Sequence, residues 1–214
     1  MEEKSPEILI INGSPRKNKN CASIANEVIK KLTENNISFE LFNIYDMYIE
    51  YCTACGFCEK TGYCKFKDDM TPMYDMFDKS IGCIVISPVH FDCISAKLKT
   101  LVDRTQAIYA SKYILNKPSI DRSKKRIGMY ISVGGSDPYN TQFKGGQIVM
   151  DFFFKSINTK LLYNLYINNT DRLSFLENNG FKSNLDNTIK DYINSVNSIR
   201  YKEDKENEEQ KTMD

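Results

Sequence analysis

Five short apolar runs alternate with segments of helical periodicity, and this alternation constrains the fold more than any other feature of the chain. The runs are rich in aliphatic or aromatic residues, as strands are, while the other segments repeat apolar residues every three or four positions. Strands that alternate with helices form a parallel sheet with helices on both faces. The strands are predicted over 7–12, 37–44, 81–87, 125–135 and 161–167, and the helices over 20–32, 70–79, 95–111, 146–157 and 183–201.

The composition is that of one globular domain. The chain has 214 residues, of which 41% are hydrophobic and 27% are charged. A single domain of this length buries about 70% of the surface of its unfolded chain. We expect the domain to occupy residues 1–201 and the almost purely polar segment 202–214 to be a disordered tail.

The charge balance argues against two classes of partner. There are 29 Lys and Arg residues against 28 Asp and Glu residues, a net charge of +1, which does not favour nucleic acid or an acidic membrane surface. No apolar stretch approaches the roughly 18 residues of a membrane span. The opening MEEKSPE lacks the basic and apolar regions of a signal peptide. The expectation is a cytoplasmic protein.

Four cysteines lie close together in the loop predicted over 51–66. Cys52, Cys55, Cys58 and Cys64 have the spacing C-x2-C-x2-C-x5-C. Thiolates are the ligands of iron–sulfur clusters and of zinc, and the tight triplet favours a cluster. Three alternatives stay open: a zinc site, although zinc motifs usually contain two separated pairs; disulfides, which a reducing compartment disfavours; and thiols that bind no metal.

The loop after the first strand has the composition of an anion-binding loop. In a doubly wound sheet, ligands bind at the carboxyl ends of the strands, so the loops after strands one, three and four are expected to form the site. The first of these loops combines a flexible glycine, polar side chains, three cations and the unpaired amides of a helix N-terminus. Its residues are Gly13, Ser14, Arg16, Lys17, Lys19 and Asn20. A solvated basic turn is the alternative.

These residues together resemble the flavodoxin-like NAD(P)H-dependent FMN reductases and, within them, the iron–sulfur flavoproteins. The resemblance covers Ile8 to Ile167 and rests on the four-cysteine loop and on four short motifs. It implies an α/β fold with a doubly wound, five-stranded parallel sheet in the order 2-1-3-4-5 and the cysteine loop after strand 2. The motifs are Gly13-Ser14-Pro15-Arg16, Asp68-Asp69-Met70, Ser87-Pro88-Val89 and Ser95-Ala96-Lys97-Leu98-Lys99.

The resemblance also implies two cofactors and the residues that bind them. The FMN phosphate would be bound by Ser14, Arg16, Asn20, Cys21 and Ala22. The isoalloxazine ring would be lined by Pro88, Val89, His90 and Phe91, with Gly134 and Gly135 opposite. A [4Fe–4S] cluster would be ligated by Cys52, Cys55, Cys58 and Cys64.

The function that the resemblance implies is electron transfer. A reduced donor, either NAD(P)H or ferredoxin, would deliver electrons to FMN and the cluster, and a small molecule would accept them. In the resembling proteins the cluster of one subunit lies near the flavin of another, which implies a homodimer or homotetramer. The identity of the electron donor stays open, because the sequence has no G-x-G-x-x-G after a strand, the motif of dinucleotide binding. Two rivals are a cluster-free FMN or quinone reductase and a carrier without a substrate of its own.

Individual side chains carry further expectations. His90 stands where the family often has tyrosine, and we expect it to shape the flavin site rather than to deliver protons. Cys21 stands where the family has a hydroxyl side chain, and inert packing is favoured over a reactive thiol. The three consecutive phenylalanines 152–154 cannot face one direction on a helix, so at least one is predicted to contact another subunit or a covering segment.

Overall fold

The computed structural model describes residues 5–211, with side chains through 202 and at 205. Five parallel strands form one sheet in the order β2-β1-β3-β4-β5, which confirms the predicted fold. The strands are β1 (Ile8–Asn12), β2 (Phe39–Asn43), β3 (Gly82–Pro88), β4 (Ile127–Val133) and β5 (Lys160–Ile167). The helices are α1 (Asn20–Glu34), α2 (Phe57–Thr61), α3 (Thr71–Lys79), α4 (Ala96–Arg104), α5 (Gln106–Tyr113), α6 (Lys144–Ser156) and α7 (Asn179–Lys211), with a 3-10 turn over Ile44–Asp46.

The sheet separates two hydrophobic layers. Alternate residues of β1 point to opposite faces: Ile8 and Ile10 pack with α1 and α7, while Leu9 and Ile11 pack with α3, α4 and α6. This is the side-chain period of a strand that is covered on both faces. All five residues of β1 are buried, so the apolar run at the start of the chain is the centre of the core.

The helix predicted over 95–111 is two helices, which corrects the sequence interpretation. The chain breaks at Thr105, whose amide and hydroxyl both donate to the carbonyl of Val102, at 3.0 and 2.7 Å. The Ser156 hydroxyl also contacts the Thr105 hydroxyl at 2.9 Å. When a residue's hydroxyl hydrogen-bonds to a nearby carbonyl in this way, the local bond competes with continuation of the helix. The break makes Arg104 the last residue of α4, which matters for the site below.

The C-terminal helix closes one face of the sheet, as predicted, but it is longer than expected. Its apolar stripe, which includes Leu185, Ile189, Tyr192 and Val196, is buried. The backbone stays helical to Lys211, so the segment expected to be a disordered tail is helical over 202–211, while 212–214 lie outside the described residues. The segment is rich in Lys and Glu, which have high helix propensity.

The three phenylalanines of α6 separate as the helical period predicts. Phe153 and Phe154 are buried against the sheet, whereas Phe152 is 69% exposed. No helix in the described part of the chain is both long and apolar enough to cross a membrane.

Candidate functional site

A cleft of about 180 Å³ opens at the carboxyl end of the sheet. Loops after β1, β3, β4 and β5 form its walls, which is where ligands bind in a doubly wound sheet. It brings together most of the residues predicted to bind a flavin: Ser14, Arg16, Asn20, Cys21, Pro88, Val89, His90 and Gly135. Ala22, Phe91 and Gly134 lie beside these residues in the chain but do not line the cleft.

The loop after β1 is folded by its own polar side chains. The Asn12 side-chain oxygen accepts the amide of Ser14 at 3.1 Å, and the Ser14 hydroxyl accepts the amide of Arg16 at 3.2 Å. Ser95, at the start of α4, donates its hydroxyl to the carbonyl of Gly13 at 2.6 Å. These bonds hold the loop against the helix that follows β3, so two walls of the cleft are connected.

The first turn of α1 presents free amides to the cleft. Lys19 precedes the helix and makes no side-chain cap, and the first turn contains no acidic residue. The first amides of a helix have no partner within the helix, and the helix dipole makes this end positive. Among the described side chains, Arg16 and Lys19 pair with no carboxylate, whereas Lys17 is tied to Asp46 at 2.5 Å. The chemistry of this donor set fits a phosphate group, with Arg16 and Lys19 as its cations.

Asn20 and Cys21 differ in what they can offer a ligand. The Asn20 side-chain oxygen accepts the amide of Phe175 at 2.9 Å, which leaves its side-chain nitrogen as a donor. Cys21 is 4% exposed and packs in the core, and this burial raises the pKa of its thiol to about 12. The thiol is therefore protonated and shielded, as expected for packing rather than redox chemistry. Only the backbone of Cys21 remains for a ligand.

The loop after β3 ends in a tight two-residue turn. His90 and Cys93 exchange backbone hydrogen bonds of 2.9 and 3.1 Å, and the two residues between them, Phe91 and Asp92, have φ of 50° and 59°. The carboxylate of Asp92 accepts the hydroxyls of Tyr139 and Thr141. The turn is thus pinned to the loop after β4. The ring of Phe91 at the tip of this turn is fully exposed.

The amides around the cleft are only partly available to a ligand. The amide of Val89 donates to Val133 at 2.8 Å, and that of Gly134 donates to Ile167 at 2.7 Å. Within residues 5–211, the amide of Gly135 donates to no backbone carbonyl. Gly135 is consequently the backbone donor that this wall offers.

The loop after β5 supplies residues that the sequence analysis did not identify. Thr170 and Asp171 line the cleft, and their amides donate to the carbonyls of Gly134 and Gly135 at 3.2 and 3.0 Å. The carboxylate of Asp171 lies so close to Gly135 that a Cβ atom added there would be 2.3 Å from its Oδ2. The only sequence signal for these two residues was their position just after a parallel strand, because the carboxyl ends of parallel strands lie at the same end of the sheet.

The four cysteines of the loop after β2 line a second cavity, of about 340 Å³. Helix α2 carries Cys58 and is bounded by Gly56 and Gly62, with φ of 70° and 78°. This left-handed conformation is one that glycine adopts without strain. The two reversals turn the chain around the cavity, so that Cys52, Cys55, Cys58 and Cys64 all face it.

The thiols influence one another across this cavity. Burial raises the pKa of Cys58, and the neighbouring Cys52, Cys64 and Cys55 raise it further. The backbone amide of Phe57 lowers the pKa of Cys55. All seven cysteines are free thiols.

The four thiols that line the cysteine cavity do not converge on one point. No group of three or more His, Cys, Asp or Glu side chains in the described part of the chain converges closely enough to hold one ion. Zinc needs its sulfur ligands about 2.3 Å from one point. Four free thiols around a larger cavity fit the chemistry of a polynuclear cluster, in which each iron binds one thiolate.

Arg104, one member of a buried ion pair, forms part of the wall of the cysteine cavity, and the sequence analysis did not identify it as part of the site. Arg104 lines the cavity and donates to both carboxylate oxygens of Asp68, at 2.6 and 3.1 Å. Burial acts to raise the pKa of Asp68, but Arg104 and the amide of Glu50 hold it below its ordinary value. Arg104 also donates to the carbonyl of Glu50 at 2.8 Å. The pair ties α4 to the segments on both sides of the cysteine loop.

Comparison with known proteins agrees with this geometry. A family model described as NADPH-dependent FMN reductase matches residues 6–141. An iron–sulfur flavoprotein from Archaeoglobus fulgidus is 33% identical over 128 residues, which cover 60% of this chain and 62% of that protein. One from Methanocaldococcus jannaschii is 33% identical over 144 residues, 67% of this chain and 68% of that protein.

A solved structure shows the fold at low identity. The NAD(P)H:quinone oxidoreductase from Methanothermobacter marburgensis superimposes with a TM-score of 0.66 at 13% identity, covering 87% of this chain and 94% of that one. The family match spans more than half of the chain and includes the loops after β1 and β3 and most of the loop after β4. The chain therefore belongs to the NADPH-dependent FMN reductase family of flavin-dependent oxidoreductases and groups there with the iron–sulfur flavoproteins.

Proposed function

We propose that this protein transfers electrons from NAD(P)H or reduced ferredoxin, through FMN and a [4Fe–4S] cluster, to a small acceptor. The observation that carries the proposal is the presence in one chain of a cleft whose donors suit a phosphate and of a four-thiol cavity, at opposite ends of α4. This nine-residue helix is about 13 Å long. Ser95, just before α4, donates to the carbonyl of Gly13 in the loop after β1. Arg104, the last residue of α4, lines the cavity.

In this proposal the loops at the carboxyl edge bind FMN. Ser14, Arg16, the Asn20 side chain and the amides of Cys21 and Ala22 would bind its phosphate. Pro88, Val89, His90 and Phe91 would contact the ring from one side, with Gly134 and Gly135 on the other. FMN supplies one- and two-electron chemistry when bound. The single phosphate-binding loop supports FMN rather than a dinucleotide.

The cysteine loop would hold the cluster, with Cys52, Cys55, Cys58 and Cys64 as ligands. The test is Cys55→Ser, because a hydroxyl replaces a thiolate poorly as a ligand to iron. Protein purified without oxygen is expected to contain about four irons per chain, and the variant to lose them while keeping its FMN. Cys93→Ser is the matched control, since Cys93 is a free thiol outside the cavity. Stoichiometric zinc without iron, or iron that survives in Cys55→Ser, would contradict the cluster.

A cluster-free FMN or quinone reductase is the second candidate, because the thiols do not converge on one point. Rapid-mixing absorbance separates the two functions. If the cluster lies on the electron path, Cys55→Ser slows electron exchange with at least one donor or acceptor. Flavin reduction and reoxidation that match wild type for every partner would favour the second candidate. Turnover with NAD(P)H and an acceptor, without an added reductase, separates both from a pure carrier.

We also propose that the chain forms a homodimer or homotetramer. Phe152 on α6 and the ring pair Tyr109 and Tyr113 on α5 are exposed. The two helices are neighbours, since Lys112 donates to the carbonyl of Lys155 at 2.9 Å. Exposed aromatic residues on adjacent helices support a subunit contact. Light scattering of the purified protein tests the assembly directly.

A further inference from the structure

A buried cation lies at the wall of the cysteine cavity. The side chain of Arg104 is 1% exposed, and its guanidinium group lies over the ring of Phe66 at 5.2 Å. Both residues line the cavity together with the four cysteines. The position is fixed by three hydrogen bonds, two to Asp68 and one to the carbonyl of Glu50. Arg104 is thus held in one orientation before anything binds.

One nitrogen of this guanidinium group has no acceptor. Nη1 and Nη2 are bonded, but Nε is buried and has no hydrogen-bond partner among the described residues. Buried polar groups in folded proteins are nearly always paired. An unpaired buried N–H at the wall of a cavity therefore suggests that a group bound in the cavity accepts its hydrogen bond.

The acceptor expected here carries negative charge. Arg104 and all four cysteines line the same cavity, so a group bound by the thiolates would meet this cation. Asp68 balances the charge of Arg104 but is not among the described residues that line the cavity. Of the two partners, the cation is thus the one that faces the thiols.

We propose that Arg104 is a positioning residue for the group held by the four cysteines: its Nε–H donates to a sulfur, and its fixed charge favours the reduced state. The inference rests on the proposed function, since it requires a cluster in the cavity. One-electron reduction adds one negative charge to the cluster and its thiolates. Arg104 stays protonated throughout, so no proton needs to move. Hydrogen bonds and nearby charge are established determinants of cluster potentials.

The test uses two substitutions that change the local charge in opposite directions. Arg104→Gln removes the cation and leaves Asp68, so the midpoint potential of the cluster is expected to become more negative. Asp68→Asn leaves the cation without its counter-ion, so the potential is expected to become more positive. The measurement is a potentiometric titration followed by electron paramagnetic resonance. The potential of the flavin in the same sample is expected to stay near the wild-type value.

Arg126→Gln is the matched control. Arg126 is also a buried arginine, paired with Asp78 at 2.6 Å, but it precedes β4 and so lies at the amino end of the strands, opposite the carboxyl end where the cleft lies. It controls for the loss of a buried arginine together with its salt bridge. If either Arg104 or Asp68 variant does not fold, the double variant Arg104→Gln/Asp68→Asn leaves no unpaired charge. It is still expected to shift the potential negatively, since the charge nearer to the thiols is lost.

The outcomes separate the inference from the function. Wild-type protein without iron and sulfide overturns both. A wild-type cluster whose potential does not move in these variants, moves in the same direction in both single variants, or moves equally in Arg126→Gln overturns the role of Arg104 alone.

Discussion

Removal of the Arg16 charge is expected to weaken FMN binding through the phosphate alone. Arg16 lines the cleft beside the first turn of α1 and has no carboxylate partner among the described side chains. Its neighbour Lys17 is tied to Asp46 and does not line the cleft. Arg16→Ala and Lys17→Ala therefore remove the same charge from adjacent positions, and only the first is expected to remove a ligand contact.

The magnitude follows from the exposure of Arg16. A hydrogen bond to a charged group contributes about 1.5–3 kcal/mol, and solvent screening at an exposed side chain reduces this to about 1–2 kcal/mol. The dissociation constant of FMN is then expected to rise about 5- to 30-fold in Arg16→Ala. Lys17→Ala is expected to change it less than about twofold, because its charge is already paired. The effect of Arg16 is expected to shrink as salt is added.

The assay is titration of flavin-free protein with FMN and with riboflavin, followed by quenching of flavin fluorescence. Riboflavin lacks the phosphate, so Arg16→Ala and wild type are expected to bind it equally. Equal losses of FMN affinity in Arg16→Ala and Lys17→Ala would refute the assignment of Arg16 to the phosphate. A loss that is as large for riboflavin as for FMN would also refute it.

Three further predictions concern the cleft, acid stability and assembly. Gly135→Ala is expected to weaken FMN binding in the same titration, because its Cβ would lie 2.3 Å from Asp171 Oδ2; Gly135→Ala/Asp171→Ala is expected to recover part of the loss. Since the folded-state pKa of Asp68 is lowered, its stabilisation is complete above the unfolded value of about 4 and is lost as pH falls through the folded value. The melting temperature of Asp68→Asn is therefore expected to fall less steeply than that of wild type below about pH 4, and parallel curves would contradict this. Phe152→Ser is expected to reduce the molar mass in light scattering, whereas Tyr201→Ser, another exposed aromatic on α7, is expected to leave it unchanged.

Sequence patterns predicted the helices and strands well where the local preference of the residues agrees with their packing in the fold. The strand β1 is apolar throughout, and a strand buried on both faces is the arrangement that satisfies it. The predicted helix over 95–111 was wrong at Thr105, because the hydroxyl of that residue bonds back to Val102 and ends α4. Apolar periodicity continues through this break, so the pattern alone does not reveal it. Helix α2 was not predicted, since five residues are too few for a periodic signal.

The order of residues along the chain by itself determined the parallel α/β sheet, the anion-binding composition of the loop after β1, and the four cysteines, because each depends on neighbours in sequence. Only the tertiary structure decided which distant side chains join these segments. Thr170 and Asp171 line the cleft because the parallel neighbours β4 and β5 end at the same end of the sheet. Arg104 and Asp68 lie 36 positions apart and meet at 2.6 Å beside the cysteine cavity because α4 ends there. Contacts of this kind depend on how helices pack on the sheet, which no local pattern of residues encodes.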